Sequence, residues 1–220
     1  MITLSHVYKT YTGPVHALRD VSFEINKGEF VFLTGPSGAG KTTLFRMISA
    51  FDRPTSGDVQ VGDFSLSNLS TSEVPFYRRK IGVVFQDFRL LKNKTIFDNV
   101  ALPLVIRGES QSTVKTKVMD TLDLLGIAHK ANQYPEFVSG GEQQRTTIAR
   151  AIIHQPFVLI ADEPTGNLDH SLAQEIMGVL QKICDQGTTV IVATHDVYLI
   201  DKYKKRRIEI KDGMIQGGRR

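Results

Sequence analysis

Residues 35–43 read GPSGAGKTT, and they follow the apolar run FVFLT at residues 30–34. The pattern Gly-x-x-x-x-Gly-Lys-Thr between a strand and a helix is typical of a loop that binds nucleotide phosphates. Its glycines let backbone N–H groups surround phosphate oxygens, and the following helix directs its positive N-terminal end toward them. Lys41 can then contact the β- and γ-phosphates, and the Thr42 hydroxyl can bind Mg²⁺. The stretch therefore predicts a nucleotide-binding α/β core.

The composition is that of an ordinary globular chain, with 220 residues of which 41% are hydrophobic and 23% charged. The longest apolar runs, such as residues 100–106, fall far short of the ~18 residues that a membrane span needs. The N-terminal residues lack the apolar core of a signal peptide. The single cysteine, Cys184, excludes an internal disulfide and favours a reducing compartment. We expect it to be buried.

The net charge of +4 is concentrated at the C-terminal end of the chain. Residues 201–220 contain eight Lys or Arg and three Asp or Glu, so the preceding 200 residues are close to neutral. Such a tail can contact nucleic acid or anionic lipid, or it can be a solvated face; we favour the solvated face. Only Tyr203 is interspersed among these charges, which argues against a stacking platform for single-stranded nucleic acid.

Short apolar segments alternate with helical patterns, which indicates an α/β fold with a mainly parallel sheet. The first ~30 residues and residues 57–64 are rich in strand patterns, and we expect an antiparallel β region near the N-terminus. Residues 158–161 and 189–193 are continuous apolar runs, as expected of strands that are buried on both faces.

The middle of the chain has a different pattern. Val114, Val118, Leu122 and Leu125 recur at helical spacing, and Gly126 follows them as a helix terminator. We therefore predict one domain with a nucleotide-binding core and an inserted helical subdomain. The core comprises residues 1–86 and 156–220, and the helical subdomain comprises residues 87–155.

An acid pair, Asp162 and Glu163, directly follows the predicted strand at residues 158–161. Ligands of open α/β sheets gather at the carboxyl ends of the strands, so Asp162 is well placed to bind the Mg²⁺ that Thr42 also contacts. Glu163 can orient or deprotonate the attacking water. Asp169 has a simpler interpretation as the N-cap of the next helix.

Residues 138–145 read VSGGEQQR, in which Ser139 and Glu142 form a capping-box pattern at the start of a helix. Gly140 and Gly141 cost helix stability, about 0.8–1.0 kcal/mol each relative to alanine. They are reasonable if a phosphate approaches this helix end closely. Because residues 35–43 already serve one nucleotide, a second phosphate-binding helix end suggests that each site is completed by a second copy of the chain.

Taken in order, these motifs resemble those of the ATP-binding subunits of ABC systems, and the resemblance covers essentially the whole chain. It implies a P-loop NTPase fold, the cofactors ATP and Mg²⁺, and ATP hydrolysis by a homodimer. It further implies an integral membrane partner at the cytoplasmic face of the inner membrane and no nucleic acid.

The resemblance also assigns roles to individual residues. It implies that Tyr11 stacks on adenine and that residues 167–169 cross the dimer interface. The phosphates would contact Gly35, Pro36, Ser37, Gly38, Ala39, Gly40, Lys41, Thr42 and Thr43, and, from the opposite subunit, Ser139, Gly140, Gly141 and Glu142. The catalytic residues would be Glu163, His195, Gln86 and Lys41, and the metal ligands Thr42, Gln86 and Asp162.

Residues 73–82, 85–87 and 98–104 resemble most closely the branch of the family that acts in cell division. That branch transmits ATP hydrolysis across the membrane to cell-wall hydrolases at the division site. A subunit of a lipoprotein-release or macrolide-efflux transporter is the alternative with the same chemistry. A nucleic-acid-associated ATPase is disfavoured, because the chain lacks the long coiled-coil insertion or second cassette that such proteins carry.

Overall fold

The computed structural model of the chain describes residues 1–13, 16–166 and 168–216. Two β-sheets form in this part of the chain. The first is a four-stranded antiparallel sheet with strand order β2-β1-β4-β5. Its strands are β1 (Ile2–Thr10), β2 (His16–Ile25), β4 (Ser56–Val61) and β5 (Phe64–Ser65). The expected antiparallel region near the N-terminus is confirmed.

The second sheet has six strands in the order β10-β9-β3-β8-β7-β6, and all neighbouring strands are parallel except β10 and β9. Its strands are β3 (Phe30–Thr34), β6 (Ile81–Val84), β7 (Val158–Asp162), β8 (Thr189–Ala193), β9 (Arg206–Lys211) and β10 (Met214–Gln216). Every residue of β3 and β8 is buried, as their unbroken apolar runs predict.

Seven α-helices connect the strands of the described chain. They are α1 (Lys41–Ile48), α2 (Val74–Arg78), α3 (Ile96–Ile106), α4 (Gln111–Leu124), α5 (Gly140–Ile152), α6 (His170–Asp185) and α7 (Val197–Tyr203). Helix α4 buries Val114, Val118 and Leu122 and ends before Gly126, whose φ is +70°. The amphipathic helix predicted there is confirmed. None of the helices in the described residues is long and apolar enough to cross a membrane.

The helices begin where the sequence supplies side-chain caps. The Asp169 carboxylate accepts a hydrogen bond from the Leu172 N–H at 3.0 Å, which confirms its predicted role as the N-cap of α6. Thr95 and Asp98 form a capping box at the start of α3. Cys184 is buried in α6, as expected, and its thiol donates to the Gly28 carbonyl at 3.3 Å.

Two apolar clusters lie on the two faces of the six-stranded sheet. Phe32, Leu159 and Val192 face the first cluster, which also contains the buried sides of α3–α6. Their neighbours Leu33 and Ile160 face the second cluster, which joins α1 to the antiparallel sheet. Because alternate residues of one strand point to opposite faces, each strand contributes to both cores.

Between β6 and β7 the chain, all of it described, contains three α-helices and two short 3₁₀ helices but no strand. These helices share their apolar cluster with one face of the six-stranded sheet. The division into a core and a helical subdomain at residues 87–155 stays a prediction.

Gly82 in β6 lies where α5 packs closely against the six-stranded sheet. A Cβ atom there would collide with the Ala151 carbonyl and lie 2.9 Å from Leu159 Cδ1. We expect Gly82→Ala to lower the free energy of unfolding by about 1–3 kcal/mol, the usual cost of overpacking. Gly178 lies inside α6, where an added Cβ atom would have nothing within 4 Å, so Gly178→Ala should raise stability by about 0.5–1 kcal/mol. Urea denaturation of both variants measures these changes, and equal effects would contradict the packing described.

Candidate functional site

The loop between β3 and α1 is built as its sequence predicts. Gly40 is the N-cap of α1 with φ +112°, a conformation that glycine adopts without strain. Its carbonyl accepts the first helical hydrogen bond, from the Leu44 N–H at 2.9 Å. The Lys41 ammonium donates to the carbonyls of Gly35 and Pro36 at 2.6 and 3.1 Å. The loop therefore folds around its own lysine at the positive end of a helix.

A cleft of about 340 Å³ adjoins this loop. It is lined by residues from the loop and from the segments that follow the parallel strands β6, β7 and β8. The lining residues are His16, Ala17, Ser37, Gly38, Gly40, Lys41, Thr42, Thr43, Gln86, Asp162, Glu163 and His195. The structure thus brings together all the residues that the sequence analysis assigned to catalysis or to metal binding. Gly35, Pro36 and Ala39 belong to the loop but do not line the cleft.

Asp162 ends β7 inside this cleft. Burial raises the pKa of its carboxyl group, and the neighbouring Glu163 carboxylate adds to the rise. The Lys41 cation and the Thr42 hydroxyl act in the opposite direction. A carboxylate in these surroundings gains stability from a nearby cation.

The metal ligands assigned from the sequence form an oxygen-only set. Among the described residues, no group of three or more His, Cys, Asp or Glu side chains converges to hold a metal ion. Thr42, Gln86 and Asp162 instead offer a hydroxyl, an amide and one carboxylate on the same cleft. Mg²⁺ is usually bound by one or two carboxylates together with water and substrate phosphates. The set therefore fits Mg²⁺ in its chemistry.

Glu163 adopts a conformation that is unusual for a residue with a side chain. Its φ is +45°, its N–H donates to the Ala193 carbonyl at 3.0 Å, and its carbonyl accepts from the Gly166 N–H at 3.1 Å. Glu163 Oε1 lies 2.9 Å from His195 Nδ1; the side chain of Glu163 is 12% exposed, that of His195 76%. Backbone strain of this kind persists only where the surroundings enforce it. The carboxylate is thereby held in the cleft, where it can accept a proton from water.

Ser139 and Glu142 form the predicted capping box at the start of α5. The Ser139 hydroxyl accepts from the Glu142 N–H at 3.3 Å, and the Glu142 carboxylate accepts from the Ser139 N–H at 2.8 Å. The backbone hydrogen bond from Ser139 lowers the pKa of Glu142, against the opposing effect of burial. Ser139 is exposed and does not line the cleft of its own chain.

The two glycines that follow Ser139 have different surroundings. Gly141 is buried, and a Cβ atom there would overlap the side chain of Leu172 in α6. Packing against Leu172 is therefore one reason for a glycine at position 141, and its contact with a phosphate of the second subunit stays a prediction. Gly140 is exposed, and a Cβ atom added to it would have nothing within 4 Å. No contact within the described part of the chain accounts for glycine at position 140.

Tyr11 directly follows β1 and, among the described residues, is not part of the cleft lining. Its hydroxyl donates to the Asp52 carboxylate at 2.8 Å, and the Lys9 ammonium lies 4.9 Å from the centre of its ring. Burial alone would raise the pKa of Asp52, but hydrogen bonds from Lys9 and Tyr11 lower it. The stacking of Tyr11 on adenine stays a prediction.

His16, which the sequence analysis gave no role, lines the cleft beside Ala17, and its Nδ1 lies 3.1 Å from the Thr10 hydroxyl. His16 reaches the cleft because it pairs with Thr10 across the antiparallel strands β2 and β1. No short-range sequence pattern indicates this position. Asn167 of the predicted interface loop, like Arg219 and Arg220 of the basic tail, lies outside the described residues.

Comparisons with known proteins agree with this geometry. A family model described as ABC transporter matches residues 18–166. The cell division ATP-binding protein FtsE of Bacillus subtilis (strain 168) is 49% identical over 215 residues, which cover 98% of this chain and 94% of that protein. FtsE of Escherichia coli (strain K12) is 45% identical over 218 residues, covering 99% of this chain and 98% of that protein.

The chain is also similar to solved structures along nearly its whole length. A dimeric post-hydrolysis state of the ATP-binding cassette MJ0796, bound to ADP and Pi, superposes with a TM-score of 0.91 at 37% identity. The match covers 98% of this chain and 97% of that one.

The pairing of Glu163 with His195 leads to a test. We expect Glu163→Gln to abolish ATP hydrolysis, because general-base catalysis contributes about 10²–10⁴-fold and the amide cannot accept the proton. ATP binding should persist, because the loop at residues 35–43 is unchanged. Phosphate release and equilibrium ATP binding measure the two effects. Glu109→Gln is the matched control, since Glu109 pairs with Lys117 at 3.0 Å and does not line the cleft. Turnover within about threefold of the control would remove Glu163 from the role of general base.

Proposed function

Since this chain belongs to the ABC transporter family and is an ATPase of the ABC type, we propose that it is the ATP-hydrolysing subunit of a complex of the FtsE–FtsX kind. The observation that carries this proposal is identity of 45–49% with FtsE proteins along nearly the whole chain. In such a complex the subunit would transmit ATP binding and hydrolysis across the membrane to cell-wall hydrolases. It would lie at the cytoplasmic face of the inner membrane, at the division site.

The cleft supports a division of labour among its residues. The N–H groups of the loop and the Lys41 ammonium would bind the phosphates of ATP. Mg²⁺, held by Thr42, Gln86 and Asp162, would offset the negative charge of the phosphates. Glu163 would accept a proton from the attacking water, and His195, within hydrogen-bond distance of Glu163, would contact the γ-phosphate.

A homodimer would complete each site. Ser139 and Gly140 are exposed at the positive N-terminal end of α5 and do not line the cleft of their own chain. The dimeric cassettes that superpose on this chain support an arrangement in which these residues contact the nucleotide of the second subunit.

The membrane partner would bind in an apolar groove between α2 and α3. This groove, about 310 Å³ in volume, is lined by Pro75, Leu102, Pro103 and Ile106, with arginines along its sides. The arginines are Arg78, Arg79 and Arg107. An amphipathic helix from the partner's cytoplasmic side would fit, with apolar residues in the groove and a carboxylate opposite the arginines.

The alternative is the ATPase subunit of a lipoprotein-release or macrolide-efflux transporter, with the same catalytic cleft and another membrane partner. Co-expression of the chain with a tagged FtsX-type protein, and separately with a lipoprotein-release permease, decides between them. We expect co-purification and stimulated ATP hydrolysis with the FtsX-type protein alone. The opposite selectivity would favour the transporter.

Two neighbouring residues of α3 sharpen this experiment. Ile106 lines the groove, whereas Val105, which is equally exposed, does not. Ile106→Asp should abolish co-purification with the FtsX-type protein, because it buries a charge in the apolar contact. Val105→Asp should retain it. Loss of binding in both variants, or in neither, would contradict the groove as the docking site.

The shared site can be tested separately by mixing two inactive variants. Gly140→Asp should fold normally, since its Cβ has free space and a carboxylate in the first turn of a helix is favourable. It should nevertheless block hydrolysis by repelling the phosphate of the second subunit. Lys41→Ala should also be inactive, because it removes a charge-assisted contact to the phosphates.

Mixing the two variants restores one complete site in each mixed dimer. That site combines the intact loop of the Gly140→Asp chain with the intact helix end of the Lys41→Ala chain. Partial recovery of ATP hydrolysis, measured as phosphate release, is therefore expected. If mixed dimers form and hydrolysis does not recover, the contact between Gly140 and the second nucleotide is wrong.

A further inference from the structure

Arg150, in the third turn of α5, is bonded to the loop that follows β6. Its two terminal nitrogens donate to two successive backbone carbonyls, those of Arg89 and Phe88, each at 2.8 Å. The planar guanidinium group suits such a pair of acceptors, because its N–H groups point in fixed directions. This loop contains Gln86, which lines the cleft beside residues 35–43.

The two carbonyls belong to residues in a strained conformation. Phe88 and Arg89 have φ values of +56° and +49°, in the left-handed region that residues with side chains avoid. Two such residues in succession persist only when neighbouring groups enforce the conformation. The bidentate contact from Arg150 is a direct constraint on both peptide groups.

Arg150 in turn depends on the loop. The residue is half-buried, burial lowers the pKa of its guanidinium, and no carboxylate among the described residues pairs with it. A cation withdrawn from water needs strong acceptors. The carbonyl dipoles of Phe88 and Arg89 supply them, so the loop conformation and the position of Arg150 stabilise each other.

The C-terminal end of α5 and the residues just after it also contact the strand that precedes the loop. One turn beyond Arg150, His154 Nε2 lies 3.0 Å from the Ile81 carbonyl at the start of β6. Between them, Gly82 approaches the Ala151 carbonyl so closely that no side chain fits. Arg150 and Ala151 of α5, together with His154 just beyond its end, therefore contact β6 and the loop that follows it. The N-cap of α5, Ser139, lies about 16 Å from Arg150 along the helix axis.

The far end of the loop is fixed from α3. Asn99 is fully buried, accepts a hydrogen bond from the Leu91 N–H at 2.8 Å and donates to the Leu91 carbonyl at 3.1 Å. The residues between Gln86 and Leu91 are thus held at one end by Asn99 and in the middle by Arg150.

We infer that Arg150 is a positioning residue for hydrolysis: it sets the conformation of the loop that carries Gln86 and links that loop to the helix end at Ser139. The inference rests on the proposed roles of Gln86 and Ser139. The two hydrogen bonds of Arg150 couple the position of the loop to that of α5. In the proposed dimer, the loop serves one nucleotide site and the N-terminal end of α5 serves the other.

This role predicts that loss of Arg150 lowers the rate of ATP hydrolysis without changing the affinity for ATP. Gln86 is assigned to the metal and the attacking water, while the loop at residues 35–43 binds the phosphates. Misplacing Gln86 should therefore lower kcat and leave the affinity for ATP unchanged, the pattern expected when an interaction made mainly in the transition state is lost.

Arg150→Met removes both donors and keeps an unbranched, flexible side chain, although a shorter one. Arg145→Met is the matched control, because Arg145 lies on the same helix but donates to the Leu125 carbonyl and pairs with Glu175 instead. Each full-length variant is assayed for kcat and for ATP affinity by calorimetry. Each is also treated briefly with trypsin, and cleavage after Arg89 is quantified by mass spectrometry, since the carbonyl of that bond is an acceptor for Arg150.

For Arg150→Met we expect kcat to fall about tenfold or more with ATP affinity within about twofold of wild type, since a small misplacement of a catalytic group is costly. Cleavage after Arg89 should accelerate about tenfold, because the loop opens locally. Arg145→Met should change each quantity less than about twofold. Arg150→Lys keeps the charge but has one compact donor group, so its cleavage rate should be intermediate.

An unchanged kcat, unchanged cleavage after Arg89, or equal effects in the Arg145 control would overturn the inference. If Arg150→Met fails to fold, the same criteria apply to Arg150→Lys. A wild-type chain that binds but does not hydrolyse ATP would overturn the proposed function instead. In that case cleavage after Arg89 still decides whether Arg150 holds the loop.

Discussion

The site depends on the parallel register of four neighbouring strands, β3, β8, β7 and β6. Asp162 at the end of β7 is paired with Ala193 of β8, and the Glu163 N–H donates to the Ala193 carbonyl at 3.0 Å. This bond anchors the left-handed turn that brings the Glu163 carboxylate to His195. A slip of one residue between β7 and β8 would turn Asp162 to the other face of the sheet and separate this pair. The geometry of the Glu163–His195 pair therefore relies on backbone hydrogen bonds in the middle of the sheet.

Helix α5 combines functions that are often divided among several elements. Its first turn presents Ser139 and Gly140 to the outside, its middle buries Ile148 and Ala149 in the larger apolar cluster, and Arg150 binds the loop after β6. Because a helix with a well-packed core face moves as a rigid unit, its two ends cannot shift independently. In the dimer proposed above, an element of this kind would contact one nucleotide with its first turn and the loop beside the other nucleotide with its last.

Much of the fold and most of the cleft follow from local patterns. The glycine-rich loop, the apolar strands, the capping box at Ser139 and the helix stop at Gly126 each depend on residues a few positions apart, and all were predicted. The contacts that the sequence did not reveal join distant segments. Gly141 packs against Leu172, Tyr11 binds Asp52, and His16 reaches the cleft through the pairing of β1 with β2. No short-range spacing encodes such pairs, because they exist only after the sheets have assembled.

The chain departs from local preferences at several positions near the cleft. Glu163 and the two residues bonded by Arg150 adopt left-handed conformations, and burial raises the pKa of Asp162 beside another carboxylate. Each feature costs stability when considered alone, and all of them lie at or next to the carboxyl edge of the parallel sheet. Two apolar cores on opposite faces of that sheet offset these costs. Backbone strain and the repulsion between Asp162 and Glu163 can therefore be tolerated at the carboxyl edge of the sheet, because the strands behind it are fully packed. A bound cation would relieve the repulsion between the two carboxylates.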